Sequence, residues 1–177
     1  MITPLAIVRS VEDVCGLRAG IKWPNDVVVS GQGPGASVQS SRKLAGVLIE
    51  TDIRDDAAVV LVGVGINVNF DSRAHEEIRD IATSLKSELG REVDRETLLA
   101  AYLLRFEELY VAAKGGASPV AAWKERLVTL GQRVHASWPG GEADGLAVDV
   151  DEDGALLVRI GEDAVVRVEA GDVTLRG

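Results

Sequence analysis

The 177-residue sequence has a single cysteine, Cys15, so no disulfide can form within the chain, and no CxxC or His/Cys pair has metal-site spacing. Cys15 sits in an apolar helical pattern and reads as a structural thiol rather than a nucleophile. No basic-then-apolar leader and no apolar run of about 18 residues occurs. Nothing therefore marks export or membrane spanning, and a cytoplasmic location is the simplest expectation. Positive charge is scarce. Against 28 Asp/Glu stand 19 Lys/Arg, a net charge of −9. That balance argues against a nucleic-acid surface, which needs clustered cations to replace counterions around phosphates. There is no GxxxxGK[ST] phosphate loop, and Gly63-Val64-Gly65 is no dinucleotide fingerprint, because Val68 stands where the third glycine is needed. No internal repeat is present.

What is there is globular in composition, with 46% hydrophobic and 27% charged residues. The length suits one ordinary domain and a small one. The acidity is concentrated late: residues 129–177 hold ten Asp/Glu and four Arg. Such an excess serves either solubility or the choice of a partner.

Local patterns divide the chain. Residues 4–17 read as a helix with an apolar stripe, closed by Gly16 and Gly20. Strands are expected at 19–23 and 27–30 around the turn Pro24-Asn25-Asp26. Residues 31–41 form a Gly/Ser-rich loop. Further strands at 43–50 and 57–69 flank a charged turn at 51–56. Asp94 is an N-cap for a helix over 95–114, closed by Gly115-Gly116, and Ser118-Pro119 heads another over 120–127. After Thr129 short β-branched runs recur at 133–137, 146–150, 155–160, 164–169 and 173–175, which predicts a small closed barrel. The domain boundary falls near residues 127–131.

Three places carry chemistry. In the run 59–70, even positions Val60, Val62, Val64, Ile66, Val68 and Phe70 share an apolar face expected to pack a core. Odd positions Gly63, Gly65, Asn67 and Asn69 share a face that is bare and then polar. Glycine weakens a strand, so such a face implies close approach of a ligand or of another backbone, a bulge, or a tight sheet-to-helix crossing. Lys43, preceded by Arg42, opens an otherwise apolar strand. It is either a solvated edge charge or a fixed cation set against developing negative charge, as on a phosphoryl oxygen. Lys22-Trp23-Pro24-Asn25-Asp26 is either an ordinary turn with a packed Trp, or a cation, an aromatic and an Asn/Asp pair on a rigid turn. In the second reading Asp26 helps hold Mg²⁺.

In order along 48 residues, KWPND, RKLAGVLIE and VGVGINVN resemble the catalytic domain of the biotin–protein ligases. The resemblance continues through Ala82-Thr83-Ser84-Leu85, the helix after Asp94, Trp123-Lys124 and the C-terminal barrel. It implies an α+β fold: a class II synthetase-like mixed sheet with packed helices over residues 1–128, then an SH3-like β-barrel over 129–177.

The implied activity is formation of biotinyl-AMP from biotin and MgATP, then transfer of biotin to a lysine of the biotin carrier domain of an acyl-CoA carboxylase. By resemblance, Lys43 contacts the biotin carboxylate and the α-phosphate. Lys43, Gly46, Gly63, Gly65 and Ile66 bind biotin, and Lys22, Trp23, Asn25 and Asn67 bind the nucleotide. Asp26 takes the metal. The family's Arg/Gly-rich adenylate loop precedes the KWPND segment, so this sequence is expected to lack it and to be inactive alone. A lipoate-type acyl ligase and a non-catalytic module that binds an acyl carrier or another protein are the alternatives. An exposed sheet edge would pair two chains as a homodimer or receive the absent half. No DNA-binding role is expected, since no helix-turn-helix or basic patch is present.

Overall fold

A computed structural model describes residues 1–30, 41–54, 57–162 and 164–176. The expected Gly/Ser-rich loop at 31–41 lies outside the described residues except for Ser41, as do Asp55 and Asp56 of the expected charged turn.

The apolar stripe at the start of the chain forms α1 (Ile2–Cys15), ended by Gly16 at φ 63°, whose N–H donates to Glu12 O at 2.9 Å. Leu5, Ala6, Ile7, Val8 and Val11 are almost fully buried. Burial at consecutive positions means that this helix is enclosed by the core rather than laid upon it. Cys15 is half-buried at its end, and burial pushes its thiol above the ordinary range.

Four strands follow: β1 (Gly20–Lys22), β2 (Asp26–Val29), β3 (Arg42–Arg54) and β4 (Ala57–Ile66). They make one sheet in the order β1-β2-β3-β4. Every ladder is antiparallel, and parallel pairing is confined to two isolated bridges, Ile21↔Leu127 and Lys43↔Ala82. The sheet expected to be mixed is thus antiparallel in its ladders. The strand expected to stop at residue 50 runs on to Arg54, because Thr51, Asp52 and Ile53 pair with Val60, Val59 and Ala58. Its alternation Glu50-Thr51-Asp52-Ile53 reads as charged, but an edge hairpin tolerates polar residues on an uncovered face.

The expectation that the even face of β4 packs a core holds only for its inner half. Val64, Ile66 and Val68 pack against the core, whereas Val60 is 53% and Val62 38% exposed. Leu48, Ile49, Ile53, Val59 and Leu61 are also more than half exposed. Among the described residues no helix covers the outer part of this hairpin, so both alternations face outward there.

A short 3-10 turn (Ser72–Ala74) and α2 (Leu85–Leu89), both unanticipated, lead to α3 (Arg95–Lys114) and α4 (Val120–Lys124). Ser84 caps α2 and Asp94 caps α3, accepting from Ser87 N and Thr97 N. Asp94 thereby keeps its carboxyl below the usual range. Helix α4 stops three residues short of the expected end, because the chain at 126–128 leaves the helix to pair with β1. Ile21 N donates to Arg126 O at 2.7 Å and Val128 N to Ile21 O at 2.9 Å.

The last five strands are β5 (Arg133–Trp138), β6 (Gly141–Val150), β7 (Leu156–Ile160), β8 (Ala164–Val168) and β9 (Asp172–Leu175). They form one antiparallel sheet in the order β8-β7-β6-β5-β9. No described ladder joins β8 to β9. Closure of the expected barrel is by side chains instead, since Val134, Ala136, Ala147, Leu156, Val158, Val168 and Val173 are all essentially buried. Gly171 has φ 154°, and a Cβ there would lie 2.1 Å from Ser137 O, so glycine is required for β9 to return beside β5.

Trp23 joins the two sheets. It is 1% exposed, its N–H donates to Thr129 Oγ1 at 2.9 Å and its Nε1 to Gly154 O at 2.9 Å. Truncating such a side chain to Ala costs about 3–5 kcal/mol. Lys124 Nζ lies 2.5 Å from Asp149 Oδ1, a second link from α4 to β6.

Candidate functional site

Register decides which residues share a face. Gly46 pairs with Gly65 and Leu48 with Gly63, one to one and with no bulge, while Ala45 pairs with Ile66 and Val47 with Val64. Directly opposed residues point the same way. One face therefore carries Gly46, Gly63 and Gly65, bounded by the exposed Leu48 beside Gly63, and the other carries Ala45, Val47, Val64 and Ile66.

The bare face has no packing reason of its own. A Cβ built on Gly65 meets nothing within 4 Å, and one on Gly63 meets only Leu48 at ordinary contact distance, 3.7 Å. Two of the readings open from sequence, a bulge at the glycines and a tight crossing by another element, are therefore not what these described residues do. Gly46 is different. A Cβ there would lie 3.0 Å from Lys43 Cε and 3.1 Å from its Nζ, so the absent side chain makes room for the lysine.

Lys43 reaches that face through an irregularity. In the β2–β3 ladder Val27 pairs with Ala45 but Val28 with Lys43, leaving Leu44 as an extra residue. Leu44 and Ala45 are both buried, at 0% and 2% exposure, which strict alternation does not allow. The bulge reverses the alternation and turns Lys43 over Gly46. Its Nζ lies 2.6 Å from Asp26 Oδ1, with side chains 48% and 26% exposed. The turn that carries Asp26 is tied to β3 because Asn25 Nδ2 donates to Val47 O at 2.6 Å.

Lys22, Asp26, Val28, Ser41 and Lys43 line a cavity of about 370 Å³ together with Asp80 and Ile81 and, from the second sheet, Thr174 and Leu175. A larger cavity of about 490 Å³ lies on the other face, between Val64, Ile66, Val68 and Leu98, Leu99 and Tyr102 of α3. It is the less chemical of the two, with Arg95 its only charged group. The lysines and the carboxylate meet in the smaller.

The sequence-predicted residues thus divide. Lys22, Asp26, Lys43 and Gly46 come together, with Gly63 and Gly65 on the strip beside them. Asn25 is adjacent, but its amide is spent on Val47. Ile66 points to the opposite face, and Trp23 is sealed in the core, so neither side chain is open to the charged cavity. Alternation also ends at Ile66. Asn67 N donates to Leu44 O at 2.9 Å, with its Nδ2 3.5 Å from Lys43 O, and Asn69 exchanges two bonds with the backbone of Val93. Sequence reasoning missed Thr174 and Leu175, which no short motif marks, and Glu88, which faces Arg42.

As chemistry, the site offers an ammonium held over a strip of glycines beside the carboxylate of Asp26, with Lys22 and a second carboxylate, Asp80, on the same cavity. An anionic head and a flat apolar body fit that arrangement. One or two carboxylates suit Mg²⁺ that draws its other ligands from phosphates and water, and among the described residues no cluster of three or more His/Cys/Asp/Glu would hold an ion unaided.

Residues 5–67 match the family model of the biotin/lipoate A/B protein ligase family, and residues 129–176 match that of the biotin protein ligase C terminal domain. The chain is 30% identical over 179 residues to the bifunctional ligase/repressor BirA of Bacillus subtilis, covering 99% of this chain and 52% of that protein. It is 36% identical over 175 residues to the biotin–[acetyl-CoA-carboxylase] ligase of Mycobacterium tuberculosis, covering 96% and 59%. The biotin protein ligase of Aquifex aeolicus solved with biotin and ATP superposes with a TM-score of 0.79 at 27% identity, over 99% of this chain and 69% of that one. The chain spans about half the length of the first two relatives.

Proposed function

The chain belongs to the biotin–protein ligase family, and from that premise we propose that it takes part in ATP-dependent biotinylation of a carboxylase carrier domain. A biotin carboxylate oxygen attacks the α-phosphorus of ATP, the bond to the leaving pyrophosphate breaks, and biotinyl-5'-AMP forms. The ε-amine of a carrier lysine then attacks the acyl carbon, AMP leaves, and an amide results. The observation that carries this reading is the glycine strip, bare with no packing cause, that ends under the ammonium of Lys43.

Lys43 acts electrostatically. Its charge offsets the negative charge shared between the attacking carboxylate and the α-phosphoryl oxygens. Gly46, Gly63 and Gly65 form the floor for the apolar body of biotin, and holding the acid there sets it in line with phosphorus. Lys22 and the amide end of Asn67 face the nucleotide. Asn25 serves by fixing the turn, a role its bond to Val47 O supports better than direct nucleotide contact. Asp26 is the carboxylate that would help hold a Mg²⁺ carried in by ATP, which would neutralise phosphate charge. The proposed partners are the biotin carrier domain of an acyl-CoA carboxylase, met by the C-terminal sheet, and a second copy of this chain at the open edge of β4. A cytoplasmic location remains the simplest reading; no described helix is long and apolar enough to cross a membrane.

The test separates the steps. Calorimetry reads biotin binding, ATP–pyrophosphate exchange reads adenylation, and radiolabel on a carrier domain reads transfer. Biotin binding that is lost in Lys43→Ala is expected. Equal binding by both proteins would sink the assignment of the site. Biotin should also raise the melting temperature more than lipoate does, since a ligand bound only to the folded chain stabilises it by mass action. The reverse order would move the chain to the lipoate branch.

A further inference from the structure

We propose that Glu88 is a positioning residue for Lys43, acting through Arg42 and Thr83; this rests on the biotin-ligase reading of the Lys43 site. Lys43 has a long, half-exposed side chain, so its usefulness as a fixed cation depends on how firmly its backbone is held. Two hydrogen bonds to the segment 81–83 hold it. Its N–H donates to Ile81 O at 2.8 Å, and its carbonyl accepts from Thr83 N at 2.9 Å. Beyond the end of the β4 ladder the segment 81–83 thus takes the place of a neighbouring strand, running parallel to β3.

Nothing in a two-bond parallel contact is strong by itself, and the segment 81–83 belongs to no ladder. What fastens it is Glu88. Its carboxylate, 8% exposed, accepts from Arg42 Nη2 at 2.7 Å and, on the same oxygen, from the hydroxyl of the fully buried Thr83. One group therefore joins the residue before Lys43 to the residue bonded to the Lys43 carbonyl. A buried carboxylate with two donors is retained only where both stay in place, because an unpaired charge there is costly.

The helix that carries Glu88 is itself fixed to the other side of the site. Ser84 Oγ donates to Phe70 O at 2.5 Å, Leu85 N to Asn67 O at 3.0 Å and Lys86 N to Val68 O at 2.9 Å. Helix α2 therefore braces the Lys43 end of β3 against the Asn67 end of the β4 strand. Those two ends are hydrogen-bonded neighbours, Asn67 N donating to Leu44 O at 2.9 Å, so the brace holds the end of the sheet from which Lys43 projects. Glu88 touches neither ligand, and its effect passes through the backbone.

The experiment uses the whole chain with biotin as the probe. Glu88→Gln keeps the shape and an acceptor for Thr83 while removing the charge that holds Arg42. In calorimetry it should weaken biotin binding about tenfold when Lys43 is present and leave the residual binding of Lys43→Ala unchanged, a coupling that contact through a shared structure produces. Amide exchange, read without ligand, should accelerate about tenfold at Lys43 and Thr83 while Val158 in the second sheet keeps its protection. An equal loss of binding in both backgrounds would show general destabilisation and overturn the proposal. So would unchanged exchange at Lys43. Absence of biotin binding by the unaltered chain would fail the functional reading instead, and the exchange measurement would still decide the clamp.

Discussion

Lys43 Nζ and Asp26 Oδ1 stand 2.6 Å apart, across the β2–β3 boundary, at the end of the sheet face that carries Gly46, Gly63 and Gly65. The pair is half open to water, so its mutual attraction contributes little to the fold, about 0–1 kcal/mol at most. Its consequence is chemical. Without ligand the carboxylate neutralises the ammonium, and an incoming anion has to share it.

Lys43→Ala should therefore leave the melting temperature within a few degrees while biotin binding and adenylation fall by about 10²–10³. Asp26→Asn should spare the fold equally, because Asn keeps the size and one oxygen. It should strengthen binding of biotin alone, by freeing the cation, yet weaken ATP-dependent steps. Paired calorimetry and pyrophosphate-exchange assays check this. A drop in biotin affinity in Asp26→Asn would show that the carboxylate holds Lys43 in place rather than competing for it.

Gly65→Val tests the bare face. A Cβ at this position meets no protein atom within 4 Å, and valine suits a strand better than glycine. Stability should be unchanged or higher by roughly 0.5 kcal/mol, while biotin affinity falls by tenfold or more because the added methyls occupy the floor. Gly171→Ala is the converse control. It forces a Cβ against Ser137 O, so it should lower the melting temperature, and it should affect affinity only through the displacement of Thr174 and Leu175 on β9. Thermal melts read against biotin titrations separate the two.

Much of this was legible beforehand, and the parts that were not have physical reasons. The 95–114 helix announces itself through Asp94 and Gly115, and the five barrel strands through turns such as Pro139-Gly140, whose signals are local. The motif order assigned Lys43, Asp26 and Gly46 to one site, and the fold brings them together, but strict alternation would have put Lys43 on the face of Ala45 and Val47. The bulge at Leu44 that turns it is a tertiary choice, set by where β2 pairs, and no residue type signals it. Trp23 read as a nucleotide contact only by the resemblance of its motif, with a packed Trp as the alternative. Its fate was decided by Thr129 and Gly154, more than a hundred residues away. The exposed β3–β4 hairpin was likewise hidden, since apolar alternation reports what a strand can bury and not whether anything covers it.

That hairpin makes a prediction of its own. Strand β4 carries ten consecutive uncharged residues, and its outer edge pairs with no described strand. Long flat apolar edges recruit partners. The chain alone should run larger than a monomer in size exclusion with light scattering. Val60→Lys with Val62→Lys should restore the monomer without lowering the melting temperature, since both side chains are exposed already. A monomeric parent chain at micromolar concentration would remove the second-copy reading of this edge.

The link between α4 and β6 should be acid-labile. Lys124 donates to Asp149 from 2.5 Å, and the Val150 N–H adds a second bond; together they hold the Asp149 carboxyl below its usual range. A carboxyl that is more acidic folded than unfolded contributes stability above its unfolded value, about 3.9, and loses it as pH falls through the lower folded value. The contribution is accordingly complete at neutral pH and fades below about pH 4. Both side chains are more than 40% exposed, so screening keeps the effect small. Lys124→Met should cost less than about 1 kcal/mol at pH 7, a shift of no more than about 4 °C. The difference between variant and parent should shrink as melts are recorded from pH 5 down to pH 2.5 (about the range where the carboxyl gains its proton) and should also shrink with added salt. A variant that lags the parent by the same margin at every pH would show that the lysine stem packs on β6 and that its charge is immaterial.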